Sequence, residues 1–119
     1  MQNQSKEALK LIYNALEDKK AMDIKIIRIE EISSLGDYFV IASGSNNNQV
    51  QAMSDNVEEK LKEAGYSPKQ VEGYQGASWI LLDYADIIIH LFDEESRSFY
   101  DLEHIWRDGA MVSIEELLS

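Results

Sequence analysis

Apolar residues recur at helical spacing near the start of the chain. Between residues 5 and 20 they fall on one broad face, which predicts a helix of about 15 residues packed against other elements. Ser5 is suited to cap this helix, and Glu7 would lie in its first turn, where the helix dipole favours negative charge. The apolar face consists of Ala8, Leu9, Leu11, Ile12, Ala15 and Leu16.

A second helical repeat lies within residues 44–65. Ser45 or Asn46 can cap its start, and Asn46 precedes Gln49 by three residues, which is the spacing of a capping box. Gly65 supplies a C-terminal stop. The repeating apolar positions are Val50, Met53, Val57, Leu61 and Ala64.

Runs of β-branched and aromatic residues predict the strands. These runs are residues 24–29, 38–42, 79–82 and 87–92, with a short edge strand near Val71. Residues 87–92 are apolar on both alternating sides, so this strand is expected inside the sheet. Residues 83–86 are short and polar, and they predict a hairpin turn of four residues between the last two strands.

The order of the predicted elements, α-β-β-α-β-β-β-α, indicates the fold class. It describes a single α/β domain over residues 1–119, with helices packed on a mixed sheet of about five strands. The strand before the second helix and one strand after it can pair in parallel through a crossover. At the C-terminus, Ser113 is expected to cap a last turn that contains Glu115 and Glu116. A helical segment before it is predicted by the spacing of Phe99, Leu102, Ile105 and Trp106.

Charge is distributed unevenly along this sequence. The net charge is −11 over 119 residues, and eleven acidic residues face only two arginines between Glu72 and the C-terminus. Residues 72–119, which we call the acidic half, therefore carry nine of the eleven net negative charges. Phosphate backbones repel such a surface, whereas basic surfaces attract it. The pattern favours a basic protein as the partner over bare nucleic acid.

Composition excludes several classes of protein. The chain has no cysteine, which excludes a disulfide scaffold and thiol catalysis and removes the ligand of most structural zinc sites. No apolar run approaches the roughly 20 residues that span a bilayer, and the first ten residues lack the features of a signal peptide. We therefore expect a cytoplasmic protein without membrane contact.

One candidate enzymatic site lies at Gly44-Ser45. A glycine and a serine between a strand and a helix resemble the start of a nucleotidyltransferase site, where backbone N–H groups and a serine hold phosphate. That chemistry also needs a pair of acids to hold magnesium. Asp83 and Asp86 are three residues apart in a turn, and the helix offers only Asp55. A capped helix start is therefore the preferred interpretation.

The histidines and a glycine-containing loop offer little further chemistry. His90 and His104 lie on different predicted elements, so neither a metal centre nor a cofactor site is expected, and His90 is interpreted as a core or interface residue. The GYQG segment at 73–76 has the GxxG spacing of nucleic-acid-binding KH loops. Its variable positions are not basic and Glu72 precedes it, so a flexible loop is the preferred interpretation.

Large aromatic residues are concentrated in the acidic half, where interface hot spots typically combine tryptophan and tyrosine with a charged rim. Tyr84 lies at the predicted hairpin tip between carboxylates, so we expect it to be exposed and to contact a partner. Trp79 is expected to serve both the core and the interface. The set comprises Trp79, Tyr84, Phe92, Phe99, Tyr100 and Trp106.

Taken together, these motifs resemble the ribosomal silencing factor family, RsfS, also called Iojap. The similarity extends from about Asp37 to Trp106 and includes the position of the first helix. The matching residues are DYFVIASG at 37–44, Gln49, Val50, Ala52, Glu72, Gly73, WILLDY at 79–84, HLF at 90–92, Arg97, Tyr100, Leu102, Glu103 and Trp106. The family has a mixed α/β fold similar to nucleotidyltransferases without their active site.

The resemblance implies a regulator with no catalytic residues, no cofactor and no metal. Its partner would be the fourteenth protein of the large ribosomal subunit, on the face where the small subunit docks, so that subunit joining is blocked and translation falls when nutrients are scarce. Little direct contact with RNA is expected, and a homodimer is expected in isolation. A nucleotide-binding or nucleotidyltransferase-like enzyme is the alternative. The expected partner-binding residues are Trp79, Leu82, Asp83, Tyr84, Asp86, His90 and Phe92.

Overall fold

Helices and strands follow the apolar pattern of the chain closely. The computed structural model describes the backbone of residues 3–29, 36–99 and 110–118 and the side chains of residues 5–29, 36–96 and 110–118. The elements are α1 (Asn3–Asp18), β1 (Met22–Arg28), β2 (Tyr38–Gly44), α2 (Asn47–Glu63), β3 (Gln70–Glu72), β4 (Trp79–Asp83), β5 (Ile87–Asp93), α3 (Glu94–Phe99), β6 (Ala110–Met111) and α4 (Ile114–Leu118). No helix in the described ranges has the length and apolar character needed to cross a membrane.

The strands form one mixed sheet in the order β3-β4-β5-β2-β1-β6. β2 and β5 pair in parallel at its centre, and every other neighbouring pair is antiparallel. Residues 87–92 are all buried, which confirms the interior position predicted for this strand. The α/β class and the parallel pair are also confirmed. The sheet has one strand more than expected. The additional strand, β6, consists of two residues that are both exposed, so no apolar pattern in the sequence predicts it.

One face of the sheet packs against α1 and α2. Their apolar faces meet alternate strand residues such as Val40, Ile80 and Ile89, all fully buried. α1 begins at Asn3, two residues before the predicted cap, so Ser5 lies inside the helix and Glu7 lies beyond its first turn. The expectation that Ser5 is the N-cap was therefore wrong.

The start of α2 is fixed by its predicted caps. The side chain of Asn46 accepts a hydrogen bond from the Gln49 N–H at 2.8 Å, which confirms Asn46 as the N-cap. Gln49 Nε2 donates to the backbone oxygens of Lys19 and Lys20 at 3.0 Å each. One glutamine thus ties the beginning of α2 to the segment after α1. At the other end, Gly65 has a φ of 93°, a conformation that favours glycine.

The opposite face of the sheet carries a second, smaller apolar cluster. Its buried members are Ile27, Ile29, Phe39, Ile41, Ile88 and Phe92, and Trp79 and Leu81 pack at its margin only partly buried. This margin, along β4, is where the second face reaches solvent.

The C-terminal elements agree only in part with expectation. α3 follows β5 directly and begins with Asp93 Oδ1 accepting from the Ser96 N–H at 2.7 Å, whereas no helix was predicted there. Most of the predicted helical segment at 99–106 lies outside the described residues, as do Tyr100 and His104. The cap at Ser113 is confirmed, because its hydroxyl accepts from the Glu116 N–H at 3.4 Å and α4 follows.

Candidate functional site

Four rings meet on the face of the sheet opposite α1 and α2, and we call them the aromatic cluster: Phe39, Trp79, His90 and Phe92. Trp79 on β4 pairs with Phe92 on β5, and their ring centroids are 5.2 Å apart. His90 lies 5.8 Å from Trp79 and makes an edge contact with Phe39 at 4.7 Å. The cluster therefore links three adjacent strands through cross-strand packing of a kind that stabilises sheets.

A hydrogen bond within the cluster orients the tryptophan. Trp79 Nε1 donates to His90 Nδ1 at 3.0 Å. Burial lowers the pKa of His90 to about 4, so the ring is neutral near pH 7. With Nδ1 accepting, the single ring proton resides on Nε2. Nε2 is buried and has no hydrogen-bond partner within the described part of the chain.

The members of the cluster differ in how much surface they expose. Phe92 is fully buried and His90 is only 5% exposed, whereas Trp79 is half-buried. Trp79 is therefore the cluster residue that presents an aromatic surface to solvent. His90 and Phe92 were both predicted to bind a partner, but they are buried and instead pack against the Trp79 indole and support it.

Gly73 fixes the backbone beside Trp79. Its φ is 79°, and a Cβ atom placed on it would lie 2.1 Å from the Trp79 carbonyl oxygen. The loop that follows is anchored to α2, since Gln51 Nε2 donates to the Tyr74 carbonyl at 2.8 Å and the Tyr74 hydroxyl donates to Asp55 at 3.1 Å. These two contacts argue against the flexible loop that the sequence favoured.

Tyr84 does not occupy the exposed hairpin tip that the sequence predicted. The Tyr84 N–H donates to the Ile87 carbonyl at 2.9 Å, so the turn consists of Ala85 and Asp86 alone, and Ala85 adopts a φ of 70°. With only two turn residues, Tyr84 continues the alternation of β4 and packs on the helix side. Its hydroxyl is buried without a partner among the described residues, and burial, with a smaller contribution from Glu58, raises the pKa of Tyr84 to about 12.

The remaining predicted partner-binding residues divide between the two faces. Leu82 is fully buried on the helix side, so no part of it is accessible. Asp83 is half-buried on the face of the aromatic cluster, and its Oδ1 accepts from the Ala85 N–H at 2.8 Å. Asp86 is exposed in the turn, and its carbonyl accepts from the N–H groups of Asp37 and Tyr38. Trp79, Asp83, His90 and Phe92 thus share one face, from which Leu82 and Tyr84 are absent.

A shallow pocket lies beside the aromatic cluster, and we call it the β3–β5 pocket. Its volume is about 220 Å³. Leu81 and Glu72 contribute to this surface although neither was among the residues expected to bind a partner. Strict alternation along β4 places Leu81 on the same side as Trp79. The lining residues are Phe39, Gln70, Glu72, Leu81, Asp83, Ile88 and His90.

The surroundings of Gly44-Ser45 differ from expectation in one respect. A recess of about 530 Å³ is lined by residues 45–48 and by Asp93, Glu94 and Glu95. The parallel register places Asp93 beside Gly44, so acids do lie near Ser45, which the sequence analysis had not anticipated. Ser45 donates through both its N–H and its hydroxyl to Gln49 Oε1. Among the residues that the structure describes, no group of three potential ligands is arranged to hold a metal ion.

Comparison with known proteins agrees with this architecture. The family model described as ribosomal silencing factor during starvation matches residues 2–119. The ribosomal silencing factor RsfS of Halalkalibacterium halodurans is 37% identical over 119 residues and 100% of both chains, and that of Zymomonas mobilis is 46% identical over 101 residues, 85% of this chain and 76% of its own. A crystal structure of a Chromobacterium violaceum protein superposes with a TM-score of 0.83 at 36% identity, covering 95% of this chain and 92% of that one. The chain therefore belongs to the RsfS family of ribosomal silencing factors, a family with a ribosome-associated silencing role.

Proposed function

We propose that this protein binds the large ribosomal subunit and sterically prevents the small subunit from joining it. The family description names both ribosomal silencing and starvation, which supports a repressor of translation that acts in the cytoplasm when nutrients are limiting, as in stationary phase. The family resemblance implies the fourteenth protein of the large subunit as the direct partner. Away from the ribosome, the same resemblance implies a homodimer.

The observation that carries this proposal is the state of Trp79. Its indole is half-buried, hydrogen-bonded to His90 at 3.0 Å and packed at a tilt of 30° against Phe92. A tryptophan that is already held in one orientation loses little conformational freedom when a partner covers it. Such residues are frequent hot spots of protein interfaces. We therefore place the centre of the interface at Trp79, with Leu81 and Asp83 on the same strand and face.

Charge supports a protein as the direct partner. The net charge of −11 disfavours close approach to rRNA phosphates and favours a basic protein surface. Asp83 lies on the same face as Trp79, so the acidic character reaches the proposed interface itself. Contact with a ribosomal protein, and little with RNA, is the arrangement that this charge supports.

Steric occlusion needs no reaction, and the site is consistent with binding. His90 is neutral and buried, and its Nδ1 already accepts from Trp79, so that nitrogen is engaged in positioning the indole. We therefore propose a function without catalysis.

Density-gradient sedimentation of purified ribosomal subunits mixed with the protein tests the proposal. At saturating protein we expect fewer joined ribosomes and co-migration of the protein with the large subunit. Leu81→Lys introduces a charge beside Trp79 and should weaken binding about thirtyfold, the effect of losing a hot spot. Leu118→Lys makes the same change at an exposed position on α4 and should bind normally.

Two results would argue against the proposal. Undiminished joining at saturating wild-type protein rules out subunit occlusion. Magnesium-dependent nucleotide turnover that is lost in Ser45→Ala would instead support the alternative enzyme at the Gly44-Ser45 recess.

A further inference from the structure

The β3–β5 pocket combines an apolar floor with a negatively charged rim. Leu81 on β4 and its diagonal neighbour Ile88 on β5 form the floor, and Phe39 closes it on the β2 side. Glu72 on β3 and Asp83 on β4 supply the rim. An occupant that matches both parts needs an apolar stem and a cationic end, which is the chemistry of a lysine or arginine side chain.

The two rim carboxylates have no positive partner among the side chains that the structure describes. Glu72 pairs with Leu81 and Gln70 pairs with Asp83 in the β3–β4 register, so the two acids are diagonal neighbours on one face. Lys25 and Asp23 form an ion pair on β1, which lies toward the other edge of the sheet. Two neighbouring like charges are unfavourable, and a bound cation would relieve their repulsion.

A second observation comes from the inner end of the pocket. His90 lines it, is only 5% exposed, and carries a ring N–H at Nε2 that has no acceptor among the described residues. A buried donor without an acceptor is destabilising, and a main-chain carbonyl is the commonest acceptor that a protein partner can bring. The described residues thus provide neither a cation at the rim of the pocket nor an acceptor for His90 Nε2.

The spacing of these two groups fits one residue of a partner. Glu72 and His90 both pair with Leu81, so their backbones are about 10 Å apart, which is twice the strand spacing. Asp83 lies on β4, one strand away from His90. A polypeptide lying over β5 places its carbonyl near His90. A long basic side chain then crosses Leu81 to reach the carboxylates.

We propose that the β3–β5 pocket binds one arginine or lysine of a basic protein partner, with its cation between Glu72 and Asp83. Its main-chain carbonyl accepts from His90 Nε2 once a shift of the pocket lining has exposed that buried nitrogen. This assignment rests on the proposed function for the source of the basic residue, namely a protein of the large subunit. An apolar side chain would leave two carboxylates desolvated without compensation, and a phosphate would be repelled by them.

A small probe tests the pocket without the ribosome. N-acetyl-arginine methylamide carries the cation, the stem and a carbonyl, and its citrulline analogue keeps the stem and carbonyl but not the charge. In NMR titrations we expect the arginine probe to shift the amide signals of Leu81, Asp83 and Ile88 and the Nε2 signal of His90. The citrulline probe should shift them far less. Equal shifts from both probes, or no shift from either, overturn the proposal.

Charge-removing variants test the same pocket on the ribosome. The double variant Glu72→Gln with Asp83→Asn keeps both side-chain shapes, and Asp83→Asn keeps the oxygen that accepts from Ala85. We expect it to bind large subunits about tenfold more weakly at low salt, the summed effect of two partly exposed ion pairs. The control, Glu59→Gln with Glu63→Gln, removes two exposed charges from α2 and should change affinity less than about twofold.

The outcomes of these experiments are separable. If the wild-type protein binds subunits and both double variants bind equally well, the pocket assignment fails and the proposed function stands. If the wild-type protein does not bind subunits, the proposed function fails and the arginine probe still decides the pocket. The double variant at Glu72 and Asp83 should be at least as stable as wild type in thermal unfolding, since it removes a repulsive pair of carboxylates. A lower unfolding midpoint would indicate that these carboxylates stabilise the fold and would contradict the proposal.

Discussion

Protonation of His90 should destabilise the fold, because the folded protein buries the ring in its neutral form. The pKa of His90 falls from 6.5 to about 4 through burial. As the pH drops below 6.5, the unfolded chain binds a proton at this residue and the folded chain does not. The stabilising contribution is therefore complete above pH 6.5 and is lost as the pH falls towards 4.

The size of this effect follows from the shift itself. The difference between 6.5 and about 4 corresponds to about 3 kcal/mol of unfolding free energy at full protonation. Between about pH 7.5 and pH 5 the expected loss is about 2 kcal/mol, since the unfolded state is then largely protonated. That is a large part of the 5–15 kcal/mol typical of a small domain, so it lies well within measurement. Protonation at Nδ1 also removes the acceptor of the Trp79 hydrogen bond.

Urea unfolding of wild type and His90→Asn at both pH values isolates this contribution. Asparagine keeps an acceptor near the position of Nδ1 but does not titrate, and the many carboxylates titrate alike in both proteins. The variant should be less stable throughout, because it loses the ring contact with Phe39. Its stability should fall by about 2 kcal/mol less than that of wild type between the two pH values. If the free energy of unfolding falls equally in the two proteins, His90 titrates near its ordinary pKa. The inference that the ring is held neutral by burial would then be wrong.

Substitutions at Tyr84 and Gly73, with Gly65 as a control position, probe the support of the site. Tyr84→Phe removes a buried hydroxyl that has no described partner, so urea unfolding should show a free energy of unfolding higher by up to about 1 kcal/mol. Tyr84→Ala should lower the same free energy by about 2 kcal/mol or more. A loss of stability in Tyr84→Phe would mean that the hydroxyl is well bonded. Gly73→Ala should lower the free energy of unfolding by about 2 kcal/mol or more and shift the NMR signal of the Trp79 indole N–H, because the new Cβ would collide with the Trp79 carbonyl. Gly65 has a similar φ but open space around it. Gly65→Ala should therefore lower the free energy of unfolding by only about 1 kcal/mol and leave that signal unchanged.

The sequence predicted those features of the fold that depend on periodicity. The apolar run at 87–92 is compatible with burial on both faces, and it forms β5, one of the two central strands. Asn46 and Gln49 carry a local capping signal, and Asn46 caps α2 as expected. The Gln49 side chain accepts from the Ser45 N–H and not from that of Asn46, so the second bond of a capping box is shifted by one residue. These signals are readable because each depends on residues only a few positions apart.

The candidate site was less predictable because it depends on geometry between distant segments. A change from four turn residues to two moves Tyr84 from an exposed tip to the helix side of the sheet, and nothing in the composition of residues 83–86 reveals which length applies. Asp93 comes next to Gly44 only through the parallel register of β2 and β5. The Trp79 to His90 hydrogen bond likewise depends on the antiparallel register of β4 and β5.

Charge and aromatic packing have separable effects on the proposed interaction. Exposed acids such as Asp86 act at a distance, so they raise the rate of encounter with a basic surface and lose that effect as salt screens them. Trp79 acts only on contact, after water has been excluded, so it chiefly lowers the rate of dissociation. In the proposed complex the two effects meet at the β3–β5 pocket, because its acidic rim adjoins the strand that carries Trp79. Attraction by the rim would precede the contact that Trp79 makes.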